Sequence, residues 1–73
     1  MVNEEIILYI LETFNNGYEI KENIKFSEAE MERHIRILRN NDCVKNCYQD
    51  VTGAYCADGL TPIGKELLNK LTA

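Results

Sequence analysis

The chain has 73 residues, 27% of them charged and 45% hydrophobic. That is the balance of one ordinary globular domain, too short for a multi-domain enzyme or for a deep substrate cavity beside its own core. The longest uninterrupted apolar run, Ile6 to Leu11, falls far below the roughly 20 residues that span a bilayer. Glu4 and Glu5 precede it where a signal peptide would carry Lys or Arg, so the expected location is cytoplasmic, with no membrane contact. A net charge of −4 and a pI near 4.8 argue against a strongly basic nucleic-acid binder.

The distribution softens that exclusion. Residues 21–45 carry six cations (Lys21, Lys25, Arg33, Arg36, Arg39 and Lys45) against five carboxylates (Glu22, Glu28, Glu30, Glu32 and Asp42), a local charge of +1. The rest of the chain carries two cations, Lys65 and Lys70, against seven carboxylates, which makes −5. The middle is therefore the part least repelled by an anion, though it is no basic patch.

Asn3 is a helix cap, and Glu4 and Glu5 sit where the helix dipole favours negative charge. Ile7, Ile10, Leu11 and Phe14 recur at three- and four-residue spacing, and Ile6, Leu8 and Tyr9 widen the stripe beyond what one partner helix covers. This first helix is expected at the centre of the core or at a dimer seam. It ends at Phe14 or Asn15, because Asn15, Asn16 and Gly17 tolerate the left-handed C-cap. Tyr18 to Phe26 suits a short extended start and about one helical turn around Lys21 to Lys25.

Ser27 followed by Glu30 is a capping box, with hydroxyl and carboxylate each serving the other residue's backbone donor. It opens a helix over 28–40 whose buried face is Met31, His34, Ile35 and Leu38, with Ile37 at the edge, stopped by Asn40, Asn41 and Asp42. Cys43, Val44, Tyr48, Val51, Tyr55 and Cys56 favour strands, and Thr52-Gly53 between them predicts a hairpin turn. Asp58-Gly59 is a second turn or bulge. Thr61 then caps a last helix over 62–71, with Pro62 at its first position and Ile63, Leu67, Leu68 and Leu71 as the inward stripe.

Two stretches resemble the winged helix-turn-helix fold. Ser27 to Val44 is similar to the third helix running into the wing, and Leu60-Thr61-Pro62-Ile63-Gly64-Lys65-Glu66-Leu67-Leu68 to the segment that follows the wing in small bacterial, phage and archaeal regulators. The resemblance implies an α+β fold, a three-helix core with a two-stranded hairpin wing and a C-terminal helix. It also implies DNA binding by the third helix in the major groove, with wing contacts to phosphate. Gly64 is expected to let its helix approach the hairpin or the first helix closely. The segment from Gly17 to Ser27 is short for a full second helix, and the leading half of the third helix reads Glu28, Glu30 and Glu32.

Two functions follow. In the first, double-stranded DNA is the partner of a transcriptional regulator, probed by Arg33, Arg36 and Arg39 at the groove and by Lys21, Lys25 and Lys45 at phosphates. The regulator is a homodimer through the first helix or helix 62–71. In the second, Glu28, Glu30 and Glu32 dock an acidic interaction module or phage-type inhibitor on a basic protein. The bland account of the arginines is a solvated face with local pairs such as Glu32 to Arg36.

No catalytic residue, metal or cofactor is expected. Cys43, Cys47 and Cys56 lack a tight C-x2-C pair, and Cys43 and Cys47 would lie about 13 Å apart on a regular strand. Small buried thiols are the simpler reading. His34 is expected partly buried with one hydrogen bond, and Tyr48 and Tyr55 in cross-strand packing.

Overall fold

A computed structural model describes residues 2–21 and 25–73. Among them the chain is a small α+β fold of three helices, α1 (Glu4–Asn15), α2 (Glu28–Asn40) and α3 (Pro62–Thr72). An antiparallel hairpin, β1 (Tyr48–Gln49) and β2 (Tyr55–Cys56), lies between α2 and α3. The helical turn predicted around Lys21 to Lys25 falls on 22–24, outside the described residues.

Each helix starts on the predicted cap. The Asn3 side chain accepts the Glu5 N–H at 2.9 Å, Ser27 Oγ accepts that of Glu30 at 3.2 Å and Thr61 Oγ1 that of Gly64 at 3.1 Å. The return half of the capping box differs from expectation: the Ser27 hydroxyl, while accepting the Glu30 N–H, donates to the Glu30 carboxylate at 3.4 Å. Both α1 and α2 end in paired bonds from a left-handed residue. Gly17, at φ +80°, donates to Phe14 and Tyr18 donates to Thr13. Asp42, at φ +58°, donates to Arg39 and Cys43 donates to Leu38. This is the motif that satisfies the last orphan carbonyls of a helix.

The core forms where α1 packs against α2 on one side and α3 on the other. Ile6, Ile10, Leu11 and Phe14 of α1 are buried against Met31, Ile35 and Leu38 of α2, with Ile20, Val44 and Leu60 closing the edges. His34 corrects the expectation of partial burial and one bond. It is 0% exposed, Nε2 accepts the Asn3 N–H at 2.9 Å, and Nδ1 donates to the Glu30 carbonyl at 2.6 Å. One imidazole therefore ties the cap of α1 to the first turn of α2.

The hairpin is more irregular than a strand pattern over 43–56 suggests. Val44 pairs with Leu60 only as an isolated bridge, and Asn46 (φ +47°) before β1 and Gly59 (φ +112°) after β2 break the ladder between that bridge and the hairpin. Cys43 and Cys47 therefore do not share a regular strand. Tyr48 faces Cys56 and Gln49 faces Tyr55. Ile20, just after α1, adds a second bridge by exchanging both backbone bonds with Tyr55 at 2.8 Å.

The close approach in α3 is made at Gly64, its one fully buried residue. A Cβ there would sit 2.0 Å from the Cys43 carbonyl oxygen and 3.0 Å from its carbon. Leu67, Leu68 and Leu71 are half-buried beside it. Ile63, assigned from the sequence to the inward stripe, is instead 53% exposed, because it lies roughly 100° round the helix from the pole that Gly64 defines.

On an exposed helix, Gly→Ala stabilises by about 1 kcal/mol. At Gly64 the sign inverts: Gly64→Ala should lower stability by about 2–4 kcal/mol through overpacking against backbone that cannot yield, read as a fall in the urea midpoint at unchanged slope. His34→Leu keeps apolar volume but strands the Asn3 amide. It should cost about 1–3 kcal/mol, measured the same way.

Candidate nucleic-acid interface

Helical geometry, at roughly 100° per residue, sorts the exposed residues of α2 into three rows. Met31, His34, Ile35 and Leu38 define the buried face. Diametrically opposite lie Ala29, Arg33, Arg36 and Asn40, all exposed and spaced four, three and four apart. On one flank, Glu28, Glu32 and Arg39 lie toward the hairpin. The Tyr55 hydroxyl is pushed up first by burial and then by the Glu32 and Glu28 carboxylates, and Arg39 pulls against the burial that raises the Cys47 thiol. On the other flank stand Glu30 and Ile37.

The three carboxylates proposed as one acidic surface are therefore divided. Glu28 and Glu32 share the hairpin flank, whereas Glu30 faces the opposite way and is occupied by Ser27. Glu32 reaches Arg36 at 3.2 Å, the local pair foreseen from the sequence. Exposed i,i+4 pairs contribute only roughly 0.3–0.5 kcal/mol, so the pair holds Arg36 only weakly.

The six cations do not form one patch. Arg33 and Arg36 share the outward pole, and Arg39 sits between that pole and the hairpin. Lys45 is exposed at the hairpin base, where its backbone pairs with Gly59 and Asp58. Lys21, one residue past the Ile20–Tyr55 bridge, is paired with Glu19 at 3.1 Å. Lys25 is held by Glu5 in the first turn of α1 and covers the Phe26 ring at 5.6 Å.

The hairpin tip carries no cation. Asp50 Oδ1 accepts from the Thr52 N–H at 2.8 Å, the Thr52 hydroxyl at 2.6 Å and the Ala54 N–H at 3.0 Å. These bonds, led by the Thr52 hydroxyl, hold its carboxyl below the usual range. Val51 projects fully into solvent beside it. That Asp50 builds the turn was not foreseen, although an Asp two residues before Thr-Gly is a readable signal.

The thiols are free, and Cys43 is buried. Burial is the leading cause raising all three above the ordinary thiol range, which lowers their thiolate fraction and their power as nucleophiles or metal ligands. Among the described residues, the ligating-type side chains that converge are Glu19, Asp50 and Cys56, with ligand atoms within 4.8 Å of one another. Asp50 already serves the turn, and Cys56 donates toward both carboxylates at 3.6 and 3.9 Å. Both ring nitrogens of His34 are committed within the core.

No family model, curated protein or solved structure matches the chain. No helix among the described residues is long and apolar enough to cross a membrane.

The lowered Asp50 carboxyl gives a pH dependence of definite sign. Its turn-stabilising contribution is present above the unfolded carboxyl's pKa and is lost as pH falls through the lower folded value. The protection of the Thr52 and Ala54 amides, measured as the exchange rate relative to an unstructured peptide at the same pH, should therefore fall only under acid conditions. In Asp50→Ala that protection should already be lost at neutral pH, with no acid step.

Proposed function

We propose that the chain is a winged-helix DNA-binding regulator, with α2 as its recognition helix and residues 43–61 as its wing. The observation that carries this reading is the outward pole of α2: two arginines and an asparagine on one exposed face, opposite the buried one and bordering the flank that lies toward the hairpin. Arginine is the side chain best suited to bidentate contact with guanine, and asparagine with adenine. Supporting it, the hairpin follows α2 directly, and Ile20 adds a bridge to its second strand.

In this reading Arg33, Arg36 and Asn40 enter the major groove. Arg39 and Lys45 meet the flanking phosphates, with Lys21 beyond the bridge and Lys25 at the start of α2. The wing tip contributes little charge attraction, since Asp50 and Val51 occupy it. Its polar groups are Gln49 and Thr52, and Gln49 is bonded to the Gly53 carbonyl at 2.9 Å. Base contacts thus depend on α2, and phosphate contacts on lysines scattered around it.

A second reading, docking on a basic protein, draws on Glu28 and Glu32 exposed side by side on the hairpin flank. It loses Glu30, which stands on the other side of the helix. Salt separates the two jobs on DNA. Four phosphate contacts give about a hundredfold loss of affinity between roughly 50 and 200 mM salt. Fluorescence anisotropy with a mixed-sequence duplex should show that slope, with Arg33→Ala and Arg36→Ala each weakening binding about tenfold. No binding at the lower salt, together with capture of a basic protein that Glu28→Lys and Glu32→Lys release, would favour the second reading.

A further inference from the structure

Four polar side chains from three separate segments meet on one face of the hairpin. Ile20 pairs with Tyr55, so one step back along its segment Glu19 lies beside Cys56, and Tyr48 faces Cys56 from the other arm. Cross-strand neighbours share a face, and Asp50, two residues past Tyr48, points to the same side. The Cys56 Sγ accordingly stands 3.6 Å from Glu19 Oε2 and 3.9 Å from Asp50 Oδ2, and all three ligating atoms lie within 4.8 Å of one another. Each carboxylate is anchored through its other oxygen. Asp50 Oδ1 is held by the turn, and Glu19 Oε1 by Lys21 at 3.1 Å. The oxygens that face the sulfur are thus aimed by bonds made elsewhere. Tetrahedral zinc, with bonds of about 2.3 Å to sulfur and about 2.0 Å to oxygen, holds the two ligand atoms about 3.5 Å apart. Both distances from Sγ come close to that separation without any ion to draw the ligands in.

We propose that Glu19, Asp50 and Cys56 form a binding site for a divalent metal ion of the zinc class, completed by water at a fourth position. The donor set selects the metal: a thiolate suits zinc or cobalt, whereas calcium and magnesium take ligands that are all oxygen. On binding, the Cys56 S–H bond breaks, its proton passes to water and a metal–sulfur bond forms, with no change of oxidation state. In the free chain burial, then Glu19 and Asp50, keep this thiol protonated. The ion reverses that order, because it sets two positive charges among the carboxylates. The two carboxylates, the thiolate, the Lys21 ammonium and a divalent ion together sum to zero charge. The Tyr48 hydroxyl, hydrogen-bonded to the same sulfur, is placed to donate to the thiolate from outside the ligand set. A pocket of about 360 Å³, lined by Gly17, Tyr18, Glu19, Cys56 and Ala57, opens beside two of the ligands and admits the ion with its water. Cysteine spacing gives no sign of such a site, since one thiol is used and its partners lie 37 and 6 residues away. The ion staples the segment after α1 to both arms of the hairpin.

Titration of the full chain with Co²⁺, without DNA and in a reductant that does not bind metal, tests this. A near-ultraviolet thiolate-to-cobalt band and the visible bands of tetrahedral cobalt should grow until one ion is bound per chain. Zn²⁺ should then bleach both, and Ca²⁺ and Mg²⁺ should not. Cys56→Ser should abolish the thiolate band, and Cys47→Ser should leave it unchanged. Glu19→Gln and Asp50→Asn should each weaken Co²⁺ binding at least about tenfold, the loss that even outer-shell partners of a metal site produce. Asparagine keeps the Oδ1 acceptor that builds the turn, and an unchanged circular dichroism spectrum checks it. Glu19, exposed and outside the turn, decides the matter if Asp50→Asn alters the fold. No thiolate band at millimolar Co²⁺, or a band that survives Cys56→Ser, overturns the inference. An affinity unmoved by Glu19→Gln overturns it too, because a lone thiol is then taking up the ion adventitiously. None of the three ligands belongs to the DNA face of α2, so neither proposal falls with the other.

Discussion

The arrangement depends on one close contact, between the first turn of α3 and the backbone at Cys43. Asp42 turns left-handed at the end of α2, which points the Cys43 carbonyl outward to accept the Thr61 N–H at 3.1 Å. Thr61 in turn donates its hydroxyl to the Asp42 carbonyl and accepts the Gly64 N–H. The absence of a Cβ at Gly64 lets the helix settle on that carbonyl. Through these few groups the end of α2, the base of the hairpin and the start of α3 become one unit. The bearing of α2's outward face relative to the hairpin is fixed here, whatever that face binds.

The opposite end of α2 is fixed by different chemistry. His34 places a neutral imidazole in the core with a donor on one nitrogen and an acceptor on the other, and uses both. A buried polar ring with both nitrogens satisfied specifies geometry more sharply than an apolar side chain of the same volume, since a shifted helix would leave two polar groups unpaired. The helix that presents the arginines is thus held at its start by a side-chain bridge to α1, and at its end by the backbone contact with α3.

Much of this was legible in the sequence because it rests on local rules. The caps at Asn3, Ser27 and Thr61, the helix bounds to within a residue, and the buried face of α2 all follow from spacing and from the backbone donors each cap satisfies. What was not legible depends on through-space partners. A close approach at Gly64 was expected, but neither its partner, the Cys43 carbonyl, nor the outward placement of Ile63 could be read from the stripe of helix 62–71, since both need knowledge of where that carbonyl lies. His34 was assigned to the right face, but its second hydrogen bond comes from a residue 31 positions away. For the proposed interface, the three arginines read together from their spacing divide once the helix is packed, Arg33 and Arg36 to the outward pole and Arg39 to the hairpin flank, and the acidic trio read as one cluster divides between two flanks in the same way.

An overall charge of −4 is the strongest argument against contact with DNA, and its force depends on range. Screening lengths are about 8–10 Å at physiological ionic strength, whereas the molecule measures 31 × 24 × 20 Å. A phosphate at the outward pole of α2 therefore feels mainly the charges of α2 and the adjoining hairpin, and the carboxylates on the far side of α1 and α3 are largely screened. What matters is the local balance, in which Arg33, Arg36 and Arg39 stand against Glu28 and Glu32 within reach, with Glu30 turned aside. At low salt the screening length grows and the distant carboxylates also oppose the approach of a duplex. On the proposed reading the contact would therefore be weak, because at the contact face itself three arginines stand against two carboxylates, and the remainder of the molecule adds repulsion that salt removes.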